Sequence, residues 1–335
     1  MPHAIITAAL LTRRQASIGL ASALLARAPA LAQPNVPAEF PTRPITLISP
    51  LAPGGAIDVL ARLLAEHYHA RSGNPATVES RAGGAGNIGI DAVRRATPDG
   101  STLLVVPAGN LTINPTLMAN LPFDVERDFA PITLLATAAN VFVAGEKAGI
   151  GSISELIEKA KQANLTYGSP GIGSQLHLAM ELFKQRAGVE ITHVPYRGMP
   201  PALTDLLGGH IDLLVSNLPV ALPVIKDHRV VPLALTTAER SPLAPEIPTL
   251  GETGVGGIDV TSWYGLLAPH ATPKPVLDAI FTVTRDILQS QDVEQKLQAE
   301  GLSVKIESFD KFADRIRRET AGWRDLIRQR NITAN

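Results

Sequence analysis

The chain has no cysteine, few aromatic residues at 4%, and almost no net charge, with 30 Lys+Arg against 31 Asp+Glu. Without cysteine there is no disulfide, no thiolate nucleophile and no cysteine-based zinc site. An even charge balance argues against nucleic acid and anionic membrane as partners. No internal run approaches the roughly 20 apolar residues of a membrane span. Catalytic signatures are missing as well: there is no G-x-S-x-G elbow, no Walker loop and no H-E-x-x-H helix. The histidines are scattered, and no carboxylate pair has a compelling spacing. These absences weigh against a hydrolase or a nucleotide-dependent transferase.

What is present suits a globular chain: 335 residues, 45% hydrophobic and 18% charged, long enough for two lobes. Residues 1–32 stand apart. Arg13-Arg14 give a positive start, Ala16 to Leu25 form a short apolar stretch, and Ala30-Leu31-Ala32 fits small-x-small cleavage before Gln33. This pattern reads as a secretory signal peptide removed after Ala32, by twin-arginine or Sec export. The alternative is a short N-terminal core helix. Removing three arginines leaves 27 basic against 31 acidic residues, near −4. An anionic ligand must then be held by local dipoles rather than by overall charge.

The rest of the chain is organised around Pro50-Leu51-Ala52-Pro53-Gly54-Gly55-Ala56-Ile57-Asp58. The β-branched run Ile45–Ser49 ahead of it reads as a buried strand. Behind it, Val59, Leu60, Leu63 and Leu64 have the spacing of one helix face. Gly54 and Gly55 let backbone approach a ligand closely, and Asp58 suits a helix N-cap. A strand, a glycine turn and a helix N-terminus together make an anion site. A plain strand-to-helix turn that binds nothing is the alternative.

The alternation continues with strands over Ala76–Ser80 and Ser101–Val106, the latter ending at Pro107-Ala108-Gly109-Asn110. Gly84, Gly86 and Gly89 form a literal G-x-G-x-x-G. They follow the second strand rather than the first, so they read as a loop allowing close packing rather than a dinucleotide fingerprint. Residues 114–124 read as loop-rich and lead to a strand at 132–136. From residue 140 the pattern restarts. Ser152 and Glu155 form a capping box, and a second strand, glycine turn and helix run through Tyr167–Ser169, Gly171–Ser174 and Gln175–Ala187. His177, in the first turn of that helix, reads as a structural hydrogen-bonder. Further strands fall at 191–196, 211–215, 230–235 and 264–268, with helices at 274–289, 292–300 and about 310–328. Residues 239–257 read as a return linker. The stripe Phe309, Phe312, Ala313, Ile316, Trp323 and Ile327 reads as core packing. Strands alternating with helices imply an α/β parallel sheet whose ligands lie beyond the strands' carboxyl ends.

Several local patterns stand together in order: Arg43-Pro44-Ile45; Pro53-Gly54-Gly55 with Asp58; Arg81 with Gly83 to Gly89; Pro98-Asp99-Gly100; Tyr167-Gly168-Ser169; His193-Val194-Pro195-Tyr196; Ala202 to Gly209; and Thr261-Ser262-Trp263-Tyr264-Gly265. Over nearly the whole chain past the signal this closely resembles the substrate-binding receptors of tripartite tricarboxylate transporters, the Bug family. The resemblance implies a two-lobe periplasmic binding protein of type II, a Venus flytrap, each lobe a mainly parallel sheet flanked by helices. It implies one lobe from residues 33–133 and 243–335 and another from 134–242. It implies a small carboxylate ligand, transient contact with membrane permease subunits, no cofactor and no metal, with a monomer as the expected state. Carried over by motif, the ligand is met by Ala52, Pro53, Gly54, Gly55, Ala56, Ile57 and Asp58 in one lobe. Gly173, Ser174 and Gln175 serve in the other, with Asn110 and Ser216 at strand ends.

Four positions depart from the family's usual polar residues: Ile57, Ile172, Leu176 and Ser216, where Thr, Asn, Ser and Asp are common. If these side chains line the pocket, it is more apolar than usual and favours a carboxylate with an alkyl or aromatic body. If they point into the cores, the departures say nothing about the ligand. Besides transport, the sequence is compatible with a ligand sensor for a signalling partner and, less well, with a periplasmic enzyme.

Overall fold

The structure is a computed structural model that describes residues 37–333; the expected signal peptide lies outside the described residues. The first half gives β1 (Ile45–Ser49), α1 (Ala56–Ser72), β2 (Ala76–Ser80), α2 (Asn87–Arg94), β3 (Thr102–Pro107), α3 (Ala108–Thr112), α4 (Asn114–Leu117), α5 (Val125–Asp128), β4 (Phe129–Ala138) and β5 (Asn140–Gly145). There follow α6 (Ile153–Gln162), β6 (Thr166–Ser169), α7 (Gln175–Ala187), β7 (Thr192–Pro195), α8 (Met199–Gly208), β8 (Leu213–Asn217), α9 (Leu218–Lys226) and β9 (Val230–Leu235). The chain closes with β10 (Ser262–Pro269), α10 (Lys274–Leu288), α11 (Gln291–Ala299), β11 (Ser303–Val304) and α12 (Phe309–Gln329).

Among the described residues the strands form two sheets. A six-stranded sheet runs β11-β4-β10-β3-β1-β2, and a five-stranded sheet runs β7-β6-β8-β5-β9. β1 is parallel to β2 and β3, and β6 is parallel to β7 and β8. β10 is antiparallel to β3 and β4, and β5 to β8 and β9. These antiparallel members are the strands beside the two crossings between sheets. The chain leaves the first sheet at Ala139, because β4 runs on to Ala138, and it returns between β9 and β10. Thr133, where the first lobe was expected to end, lies within β4.

Both sheets are covered on both faces. Side chains of a strand alternate between faces, so Leu103 and Val105 enter the core under α1 and α10, while Leu104 and Val106 enter the core under α2 and α12. In the second sheet Phe142 and Ala144 face α7, and Val141 and Val143 face α8 and α9. Burial on both faces explains the near-continuous apolar runs of these strands.

The last helix joins the two cores. At a rise of about 1.5 Å per residue, α12 is roughly 30 Å long. Phe312 and Ile316 pack in the first lobe, whereas Trp323, Leu326 and Ile327 pack in the second. Gly265 of β10 lies directly under the Phe312 ring, which leaves no room for a Cβ there.

Two stretches differ from the sequence reading. Residues 114–117 are helical rather than loop, and a second short helix at 125–128 follows the segment read as loop-rich. Pro115 is pre-set for a first helical turn, and Asp124 caps the second helix by accepting from Glu126 and Arg127 N–H. Residues 239–257, read as a linker, are packed. Leu235 bridges to Thr249, and Leu250 and Val255 are buried in the second lobe's core. Their apolar residues are interleaved with prolines and glycines, so no helical or strand period reveals them.

Candidate ligand-binding cleft

The two glycine turns sit at the carboxyl ends of β1 and β6, the edge of a parallel sheet where ligands bind. At the first turn, Leu51 to Gly55 are exposed and Gly55 is the N-cap of α1. The N–H groups of Gly54, Asp58 and Val59 are taken, by the Asp58 side chain and by the Gly55 carbonyl. Those of Gly55, Ala56 and Ile57 have no partner among the described residues. Three successive donors at the positive end of a 17-residue helix are therefore free to meet an anion.

Asp58 is not the N-cap that the sequence suggested. It is the third residue of α1, and its Oδ2 reaches back to accept from Gly54 N–H at 3.2 Å and from Arg62 Nε at 3.0 Å. The Arg62 hydrogen bond holds its carboxyl below the usual range. Asp58 thus shapes the turn rather than offering itself to a ligand. The side chain of Ile57 points into the first lobe's core and is buried, so only its N–H belongs to the turn.

The G-x-G-x-x-G loop braces this turn from below. Gly89 packs on backbone, where a Cβ would lie 2.9 Å from both Arg81 O and Pro50 Cα. Ala85 sits at φ 54°, and its carbonyl accepts from Asn110 Nδ2 at 2.6 Å and from Asn114 Nδ2 at 3.3 Å. Asn110 is buried and commits its amide N–H to this loop. The adjoining Ile113 and Leu117 lie against Gly173, so α3 and α4 bring the first lobe up to the second lobe's turn.

That second turn is built differently. Ser174 N-caps α7 by accepting from His177 N–H at 3.1 Å, and it donates to Gly171 O at 2.8 Å. Gly173 N–H donates to His177 Nδ1 at 3.1 Å, so it is occupied. The N–H groups of Gln175 and Leu176 have no partner among the described residues, while the Gln175 side chain donates to Thr261 O at 3.0 Å in the segment leading to β10. Leu176 is buried in the second lobe's core. Ser216 is buried at the end of β8 and donates to Asn217 O. Of the four positions that depart from the family's residues, Ile172 alone is exposed, at 40%.

His177 stacks on His193 with ring centroids 4.0 Å apart, and Tyr167 stacks beyond His193 at 4.8 Å. Burial lowers His177 to about 4, and burial together with His177 lowers His193 to about 3. Both rings are neutral at physiological pH. An Nδ1 that accepts from Gly173 fixes the proton of His177 on Nε2. His193 Nε2 is 2.7 Å from Ser169 Oγ, which also accepts from Gly171 N–H. No local sequence pattern signals this contact between Ser169 and His193, since 24 positions separate them. Beneath it, Glu181 accepts from Tyr167 Oη, Lys184 Nζ and Arg330 Nε.

Two α/β lobes joined by two crossings, with glycine turns and helix N-termini at facing strand ends, define a periplasmic solute-binding protein. The family model for the tripartite tricarboxylate transporter family receptor matches residues 60–332. The chain belongs to that receptor family. It is 34% identical over 299 residues to a protein encoded between tcbD and tcbE in Pseudomonas sp. (strain P51), covering 88% of this chain and 89% of that one. It is 32% identical over 302 residues to BugT of Bordetella pertussis, covering 89% and 93%. Among solved structures it resembles Rpa4515 of Rhodopseudomonas palustris with adipate, at TM-score 0.79 and 33% identity over 88% of this chain and 99% of that one. MatC from the same organism, with bound malate, gives TM-score 0.75 and 29% identity over 86% and 100%.

Proposed function

We propose that this receptor closes its two lobes on a small carboxylate and delivers it to the membrane permease of a tripartite tricarboxylate-type transporter. The observation that carries the reading is the row of free N–H groups at Gly55, Ala56 and Ile57 on the exposed N-terminus of α1. Ala52, Pro53 and Gly54 shape the approach, and Asp58 holds the turn from behind. Gln175 and the backbone after Gly173 and Ser174 close from the other lobe. Asn110 and Ser216 serve the site by fixing neighbouring backbone. The solved relatives carrying adipate and malate support the same ligand chemistry.

The lobes we assign hinge on Ala139 and on the segment between β9 and β10. Closure is an equilibrium that the ligand shifts by preferring the closed form. We assign residues 1–32 as an export signal cleaved after Ala32, by twin-arginine or Sec transport, and the exported protein as a periplasmic monomer.

Catalysis is the weaker reading. The site's serine–histidine pair, Ser169 and His193, has its hydroxyl fully buried and shared with Gly171. A nucleophile needs access, which this oxygen lacks. A role as sensor for a signalling partner would use the same closure.

A thermal-shift screen against carboxylates tests the proposal, on protein refolded from denaturant to strip carried-over ligand. An acid at 100 times its Kd adds about 2.7 kcal/mol. Gly54→Val, which forces a β-branched residue to the φ of 96° at Gly54, is expected to abolish the shift. No shift from any carboxylate would overturn the reading.

A further inference from the structure

α3 belongs to the first lobe: it follows β3 and sets Ala108 and Leu111 into the core under α2 and α12. Ile113, two residues beyond Leu111, is completely buried in the core of the second lobe, and Leu117 of α4 packs against that same core. Both side chains reach Gly173, which sits at φ 75° in the second glycine turn. A Cβ added to Gly173 would collide with Leu117 Cδ1 and lie 3.9 Å from Ile113 Cγ2. A first-lobe side chain therefore rests on the backbone of the second lobe's turn.

The same segment also holds the first turn. Asn110 and Asn114 both donate to Ala85 O, at 2.6 and 3.3 Å, and Asn114 Nδ2 donates to Asn87 Oδ1 at 3.3 Å. That loop carries Gly89, which packs on Pro50 at the start of the first turn. Ile113 keeps right-handed helical backbone, so α3 and α4 run on nearly as one. Residues four apart share a side of a helix. The polar pair 110 and 114 thus serves the first turn, and the apolar pair 113 and 117 serves the second. Each turn carries N–H groups without a partner among the described residues, at Gly55 to Ile57 and at Gln175 and Leu176.

We infer that residues 110–117 are a stop between the lobes, which sets the span between these two rows of N–H groups. Ile113 and Leu117 seat on Gly173, while Asn110 and Asn114 seat on the Ala85 loop. These are positioning residues and need not touch the ligand. The inference rests on the two-lobe receptor reading above and adds what limits closure.

The absence of cysteine makes a direct test available. Glu66→Cys on α1 and Glu158→Cys on α6, both exposed positions, each take one nitroxide label. Double electron–electron resonance then reads the distance between the lobes without any ligand. Leu117→Ala and Asn114→Ala are each expected to broaden that distribution, and Leu117→Met is expected to restore it. In calorimetric titration with adipate and malate, Leu117→Ala is expected to weaken binding about tenfold, as when the competent fraction falls to a tenth. Acting through one stop, the two alanine variants combined are expected to lose little more than the worse of them alone. A distance distribution unchanged by Leu117→Ala would overturn the inference, and so would fully additive losses of affinity; the carboxylate reading would stand in either case. Failure of every carboxylate in the thermal-shift screen would overturn that reading alone, since broadening by Leu117→Ala would still support the stop.

Discussion

Asn217 Nδ2 donates to Asn140 Oδ1 at 2.8 Å, tying the last residue of β8 to the first residue of β5 where the chain enters the second sheet. The same oxygen accepts from Ser262 Oγ at 2.8 Å, and Asn140 Nδ2 donates to Val260 O at 2.9 Å. Asn140 is completely buried. Both crossings between lobes are thus fastened through one side chain. A hinge needs such a fixed point, because closure requires a rotation about defined residues rather than loose linkage.

Asn140→Ala is therefore expected to destabilise the protein by about 1–3 kcal/mol, through the buried partners it leaves unpaired. Denaturant unfolding would read the loss. A variant as stable as the parent would show that the junction is not a structural pin.

Gly89→Ala is expected to cost about 1–3 kcal/mol, because its Cβ would press on the backbone of Pro50 and Arg81 rather than on a side chain that can rotate away. Since Pro50 opens the first glycine turn, carboxylate affinity is expected to fall as well. Ala at the exposed Gly256, where no atom lies within 4 Å of the added Cβ, serves as the control.

Acid is expected to weaken the second lobe through His177. Burial lowers it from 6.5 to about 4, so the unfolded chain takes up the proton first. The stability contributed by the neutral ring is complete above pH 6.5 and is lost as pH falls from there through about 4. Tm measured across that window should fall, and His177→Asn, which keeps an acceptor for Gly173 N–H, should flatten the slope. An unchanged slope would place the acid sensitivity elsewhere.

Glu181→Ala is expected to cost about 3–5 kcal/mol, since it leaves the buried ammonium of Lys184 with only the exposed Glu190 carboxylate at 3.3 Å. Replacing both residues by methionine is expected to recover part of the loss, because an apolar pair of similar volume replaces the ion pair while Tyr167 Oη is still left without its acceptor. Thermal unfolding of the single and double variants would separate the two outcomes.

The sequence alone determined the elements, and with them most of the fold. The periods of Ile45–Ser49 and Val59–Leu64, the cap at Ser152 and the glycines after β1 and β6 are local signals, written within a few residues and read at that range. The order of those signals carried the family resemblance, and it located both turns. Tertiary structure decided which atoms in the turns are free. Asp58 and Asn110 are engaged by Gly54 and Ala85, Gly173 N–H is engaged by His177, and Ile57 and Leu176 turn inward. Only the fold leaves Leu51, Ile88 and Val220 exposed at strand ends, and only the fold fastens Asn140 to Asn217 and Ser262. The physical reason is range. A helix face or a cap is set by neighbours three or four residues away, whereas burial and the partner of a side chain depend on segments that the chain brings together from far along its length.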